Sequence, residues 1–179
     1  MGEGVKNVFD YIVESGLSVP GLIGCFGISS GTTAAFRAEQ KYGILAFNVS
    51  VATSISNNII NPGGPRQFYL DHKQILDSGG TVKYCGKNIS KLFFEDDDKH
   101  LCIEHMDSYF CPTYFLQGAD DNDRRKRDAS DGYRNLSERG IYTEYKLAEG
   151  GDHSLNKRAK LCGEETVSFI LRVLGKHRR

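Results

Sequence analysis

The residues Gly27-Ile28-Ser29-Ser30-Gly31 form a G-x-S-x-G pattern. Glycines at those places permit a sharp strand-to-helix turn that lifts a serine hydroxyl above the end of a sheet. A serine placed so can attack an acyl carbon, but only if a base takes its proton and a carboxylate orients that base. The chain offers both further on. Gln117-Gly118-Ala119-Asp120-Asp121-Asn122-Asp123 carries three carboxylates, and Glu149-Gly150-Gly151-Asp152-His153-Ser154 carries one glycine-flanked histidine. The serine pattern alone is a weak signal, since a glycine-rich turn with no chemistry matches it equally well. The order Ser29, Asp121, His153 gives it weight, with Asp120 the alternative acid and Asp123 a poor third.

Other reactive side chains do not assemble into a rival centre. His100, Cys102, Glu104, His105 and Cys111 follow an H-x-C-x2-H-x5-C spacing that matches no common zinc pattern. Neither a metal nor an organic cofactor is expected. Gly24, Gly27 and Gly31 are not followed by the Lys-Ser or Lys-Thr of a phosphate loop. Glu95 to Asp98 lacks the ligand spacing of a calcium loop and reads as a solvated loop. Arg124-Arg125-Lys126-Arg127 could grip an anionic group on a substrate, although such runs are more often solvated helix starts. Cys25 falls within an apolar run and reads as a buried structural thiol.

The elements that must position Ser29, the acid and His153 can be read from periodicity. Val5, Val8, Phe9, Ile12 and Val13 mark an amphipathic helix that Gly16 ends. Gly21 to Phe26 is an apolar run without polar alternation, as in a parallel strand covered on both faces. Thr32 to Tyr42 reads as a helix stopped by Gly43, and Ile44 to Val51 as a second buried strand. From residue 52 to about 107 the pattern dissolves into Asn-, Gly- and Pro-rich turns with one short helix near Leu70 to Leu76. This reads as an insertion that, together with whatever precedes residue 1, shapes a substrate pocket. Cys111 to Leu116 is a strand, Ala129 to Arg139 a helix, Tyr142 to Leu147 a strand, and Leu161 to Leu174 a last amphipathic helix. Such alternation predicts an α/β fold with a mostly parallel, doubly wound sheet flanked by helices.

Composition narrows the class. The 179 residues suit one domain, and 23 Lys and Arg balance 23 Asp and Glu, leaving no global field to draw nucleic acid. No apolar run is long enough to span a membrane, and the start lacks the layout of a signal peptide. Five cysteines in irregular spacing suggest free thiols rather than a disulfide framework. A cytoplasmic protein is expected.

The chain resembles the α/β-hydrolase superfamily, of the dienelactone-hydrolase, esterase and serine-peptidase kind. The resemblance rests on GLIGCFGISSG, PTYFLQGADD and YKLAEGGDHSL in that order and runs through nearly the whole chain. It implies a serine hydrolase acting on a small acyl substrate (an ester, thioester or amide), with Ser29 as nucleophile, Asp121 as acid and His153 as base. The backbone N–H of Ser30 would serve as an oxyanion donor. The resemblance covers the C-terminal part of that fold; the first strands, and the loop giving a second oxyanion donor, would lie before residue 1. It further implies that the first strand has an open edge, suited to self-association or to a partner. An acyltransferase of the same fold, and a catalytically silent remnant acting by binding or assembly, are the alternatives.

Overall fold

A computed structural model describes residues 2–18, 21–55, 65–84, 86–98 and 102–176. The chain divides into two compact units, Met1–Ile55 with Cys102–Arg179, and Ser56–Leu101. Its elements in order are α1 (Gly2–Glu14), β1 (Cys25–Ile28), α2 (Ser30–Tyr42), β2 (Asn48–Val51), α3 (Pro65–Asp71), α4 (Lys73–Asp77), β3 (Val82–Tyr84) and β4 (Lys87–Ile89). There follow α5 (Lys91–Asp98), a 3-10 segment (Cys102–Ser108), β5 (Thr113–Gly118), α6 (Asp123–Glu138), β6 (Thr143–Ala148) and α7 (Ala159–Lys176).

In the first unit β1, β2, β5 and β6 form an all-parallel sheet in that order. Every residue of β2 and β5 is buried, Asn48, Ser50, Thr113 and Gln117 included: a strand covered on both faces has no solvent side, and its polar residues must find partners inside the protein. Successive side chains of β5 point to opposite faces. Phe115 packs with Ala35 and Phe36 of α2 and Ala129 and Leu136 of α6. Tyr114 and Leu116 pack with Val49, Val51 and, from α7, Phe169 and Val173. Burying each such side chain stabilises the fold by roughly 1.5–3 kcal/mol. The first face is tightened by Phe36 stacked on Tyr109 at 4.5 Å, whose buried hydroxyl bonds Asn48 and Thr113. The predicted parallel sheet flanked by helices is therefore the architecture observed.

Element limits differ from the sequence reading in instructive places. The first strand begins four residues later than expected: Ile23 accepts the Ala46 N–H at 2.8 Å, but paired register with β2 starts only at Cys25, opposite Asn48. It also runs through Gly27 to Ile28, so the turn is concentrated at one residue. Helix α6 begins at Asp123, six residues before the expected start. The Asn122 side chain caps it by accepting the Arg125 N–H at 3.0 Å, which offsets a basic first turn that the helix dipole disfavours. Glu95 to Asp98, expected in a loop, closes helix α5.

The outer edge of β1 is uncovered among the described residues. Cys25 and Ser29 donate their N–H groups to Phe47 and Val51 on the β2 side, so by alternation the backbone groups of Phe26 and Ile28 face the other way. These two residues are 49% and 46% exposed. They border an open, mainly apolar cleft of about 410 Å³ whose other walls include Val51, Leu155, Cys162 and Val167.

The second unit has its own small core of Leu76, Val82 and Phe94, with Phe68, Tyr69 and Ile89 packed on it. Strands β3 and β4 pair antiparallel, Val82 opposite Ile89. Among the described residues, no helix is long and apolar enough to cross a membrane.

Candidate active site

Strand β1 delivers the chain to Ser29, which has φ 55° and ψ −119° before α2 begins at Ser30. A non-glycine residue there is strained by about 1–3 kcal/mol and persists only where its surroundings fix it. Three hydrogen bonds do so. Ser29 N–H donates to Val51 at 3.0 Å, and the Ser29 carbonyl accepts from the Thr32 N–H at 3.0 Å and the Thr32 hydroxyl at 2.6 Å. Gly27 is required by the same turn, because a Cβ there would sit 2.7 Å from the Gly31 carbonyl oxygen. A Cβ at Gly31 itself would meet nothing within 4 Å among the described residues, so the turn depends on the first glycine of the motif rather than both. Ser30 opens α2, and its N–H is one of the first-turn donors a helix leaves without an intrahelical acceptor.

Strand β5 ends at Gly118, and the three carboxylates follow, Asp120 and Asp121 in the loop and Asp123 at the start of α6. Asp120 is exposed, its N–H tied to the Gly151 carbonyl at 2.9 Å. Asp123 starts α6 and pairs with Lys126 at 3.0 Å, which holds its carboxyl below the usual range. Asp121 is buried. Its Oδ1 accepts the Asn122 N–H at 2.7 Å, and its Oδ2 lies 2.9 Å from His153 Nδ1. His153 Nε2 lies 3.2 Å from Ser29 Oγ. The arrangement is therefore one continuous chain of contacts from Asp121 through His153 to Ser29. A carboxylate can only accept, so the imidazole proton belongs on Nδ1, leaving Nε2 as an acceptor for the serine O–H.

Two groups behind the acid have no counterpart in the sequence reading. Gln117 Nε2 donates to Asp121 Oδ2 at 2.6 Å, and the Thr53 N–H donates to Gln117 Oε1 at 3.1 Å; both residues are fully buried. A glutamine ending the apolar run Thr113 to Leu116 is the signal that could have found them, since a buried amide needs partners.

The remaining candidates lie elsewhere. In the basic run, Arg125 reaches the Ala52 carbonyl at 3.3 Å, and Lys126 reaches Asp123 and the Ala119 carbonyl. Cys25 and Cys111 pack in the core, where burial pushes both thiols up and away from nucleophilic use. Cys102 is buried and His105 exposed. His100 and Cys85, like the side chain of Glu104, lie outside the described residues. No group of three or more metal-capable side chains occurs among the described residues.

No family model matches the chain, and no curated protein does. Solved structures do match. A puromycin-hydrolyzing peptidase of Mycobacterium tuberculosis superposes with a TM-score of 0.67 at 15% identity, over 94% of this chain and 24% of its own. Est1E from Butyrivibrio proteoclasticus gives 0.66 at 15% identity, over 86% of this chain and 61% of its own. The monoacylglycerol lipase of Paleococcus ferrophilus gives 0.67 at 13% identity, over 97% and 75% respectively. The chain thus spans about a quarter of the first of these proteins and under two thirds of the second.

Proposed function

We propose, from the α/β-hydrolase fold that the chain shares with these enzymes, that it is a serine hydrolase cleaving an ester, thioester or amide. The observation that carries the reading is the Asp121–His153–Ser29 contact chain, with separations of 2.9 and 3.2 Å. His153 Nε2 takes the Ser29 proton as Oγ bonds to the substrate carbonyl carbon. Asp121 holds the imidazole in the required tautomer and stabilises the imidazolium. The leaving group departs with the proton from His153, and water then releases the acyl group from Ser29 by the same steps in reverse. The Ser30 N–H, in the first turn of α2, is an oxyanion donor. Transfer of the acyl group to an acceptor other than water needs the same residues. The free thiols among the described residues fit a reducing compartment such as the cytoplasm.

Intact-protein mass after incubation with a fluorophosphonate tests this. An Oγ–P bond forms at Ser29 and fluoride leaves. A single adduct on Ser29, absent from Ser29→Ala and His153→Ala, is expected; a folded protein that takes up none refutes the hydrolase.

A second reading has its own observation. The open edge of β1 and the exposed Phe26 beside it favour assembly, through pairing of that edge with a second copy. Sedimentation velocity should then show concentration-dependent association that Phe26→Lys abolishes. A monomer at all concentrations excludes this reading.

A further inference from the structure

We infer that Gln117 is a positioning residue, which holds the Asp121 carboxylate at the angle His153 needs by clamping it to the backbone of Thr53. Its catalytic consequence rests on the serine-hydrolase reading above; the clamp itself does not.

The orientation of the Gln117 amide is settled by chemistry. The Thr53 N–H can only donate, so the atom 3.1 Å from it is the amide oxygen, and the NH2 group is the one 2.6 Å from Asp121 Oδ2. Both ends of the amide are therefore used, and the side chain is fully buried. Thr53 is fixed in turn. Its hydroxyl lies 2.9 Å from Ser50 Oγ, and it follows Ala52, a non-glycine residue at φ 50° whose N–H donates to Leu116 at 3.1 Å. The chain after β2 is thus bent so as to aim one backbone N–H at one side chain of β5.

The consequence falls on Asp121 Oδ2, which serves both Gln117 and His153. With Asn122 N–H on Oδ1, the carboxylate has two donors that remain in place whatever proton His153 carries. Gln117 is neutral, so it orients the anion without cancelling the charge that stabilises an imidazolium. Because Val51, at the end of β2, also receives the Ser29 N–H, the strand that anchors the clamp also anchors the nucleophile.

The test compares wild type, Gln117→Met and Gln117→Glu by three measurements: thermal midpoint, fluorophosphonate labelling of Ser29 split into its saturable affinity and limiting rate, and proton NMR of the His153 Nδ1–H. Methionine fills the space but donates nothing. The limiting rate should fall by about 10- to 100-fold, the usual effect of losing an outer partner of a functional ligand, with affinity unchanged. The Nδ1–H signal should broaden or move upfield. Glutamate can accept from Thr53, yet it can donate to Asp121 only while the pair keeps a proton, which two carboxylates this close hold to a higher pH than either would alone and then lose. Its labelling should approach wild type in acid and fall away from it as pH rises.

A folded Gln117→Met that labels at the wild-type rate and keeps the Nδ1–H signal overturns the proposal. Should Gln117→Met not fold, a Gln117→Glu with the pH profile of wild type overturns it instead. A wild type that does not label refutes the hydrolase, and the NMR comparison then decides the clamp separately.

Discussion

Gly118 supports Asp152 by direct contact of backbones: a Cβ on Gly118 would lie 2.3 Å from the carbonyl oxygens of both Gly151 and Asp152. The strand that leads to Asp121 and the loop that carries His153 are therefore packed without room for a methyl group. Gly118→Ala must push the loop outward, and His153 with it. The expected result is a loss of about 1–3 kcal/mol by urea denaturation. Fluorophosphonate labelling should slow by roughly 10²-fold, the effect of a displacement near 1 Å. Unchanged labelling would mean that the loop re-forms around the added methyl.

Ser29 holds a backbone conformation that suits glycine better than serine. Replacing it by glycine removes the hydroxyl and the strain together, whereas alanine removes only the hydroxyl. Ser29→Gly should be the more stable of the two by about 1 kcal/mol. Equal unfolding midpoints for the two variants would show that the turn stores no strain.

Asp121 receives donors on both oxygens. In Asp121→Asn one of those acceptors becomes an NH2 group facing a donor, and His153 is no longer held with its proton on Nδ1. Labelling should fall on the order of 10⁴-fold through the wrong tautomer, with the far-ultraviolet circular dichroism of the wild type retained. A fall below tenfold would indicate that the base is oriented by something other than this carboxylate.

Glu39 is buried in α2 and accepts the Leu45 N–H at 2.8 Å. Burial raises its carboxyl above the ordinary value of 4.5, against the opposing effect of N–H groups from Leu45 and Ile44. Between 4.5 and the raised value the folded chain holds more of this proton than the unfolded chain, so stability declines as pH rises through that window. Glu39→Gln keeps an acceptor for Leu45 and removes the decline. Urea midpoints near pH 4 and about pH 7 should show the variant gaining on wild type at the higher pH; a constant difference would locate the pH dependence elsewhere.

The sequence by itself determined the local parts. Apolar runs without alternation marked strands covered on both faces, the apolar spacing from Val5 to Val13 marked α1, and Gly27 with Ser29 marked a sharp turn, because periodicity and turn chemistry act over a few neighbouring residues. It also set the order of Ser29, the three carboxylates and His153. It placed Asp121 first, with Asp120 as the alternative and Asp123 a poor third, but had no local signal by which to separate them physically. The tertiary structure separated them: one helical start and one loop turn leave Asp123 to Lys126 and Asp120 to solvent, and bury Asp121 against Gln117. It also showed that Thr53, Gln117 and Asp121 form one unit, and that β1 starts at Cys25 rather than Gly21. Those facts depend on which strands lie side by side and on contacts such as that of Ser29 with His153, 124 positions apart. A hydrogen bond of that span has no local periodicity to announce it, because it exists only once the sheet has brought both ends together.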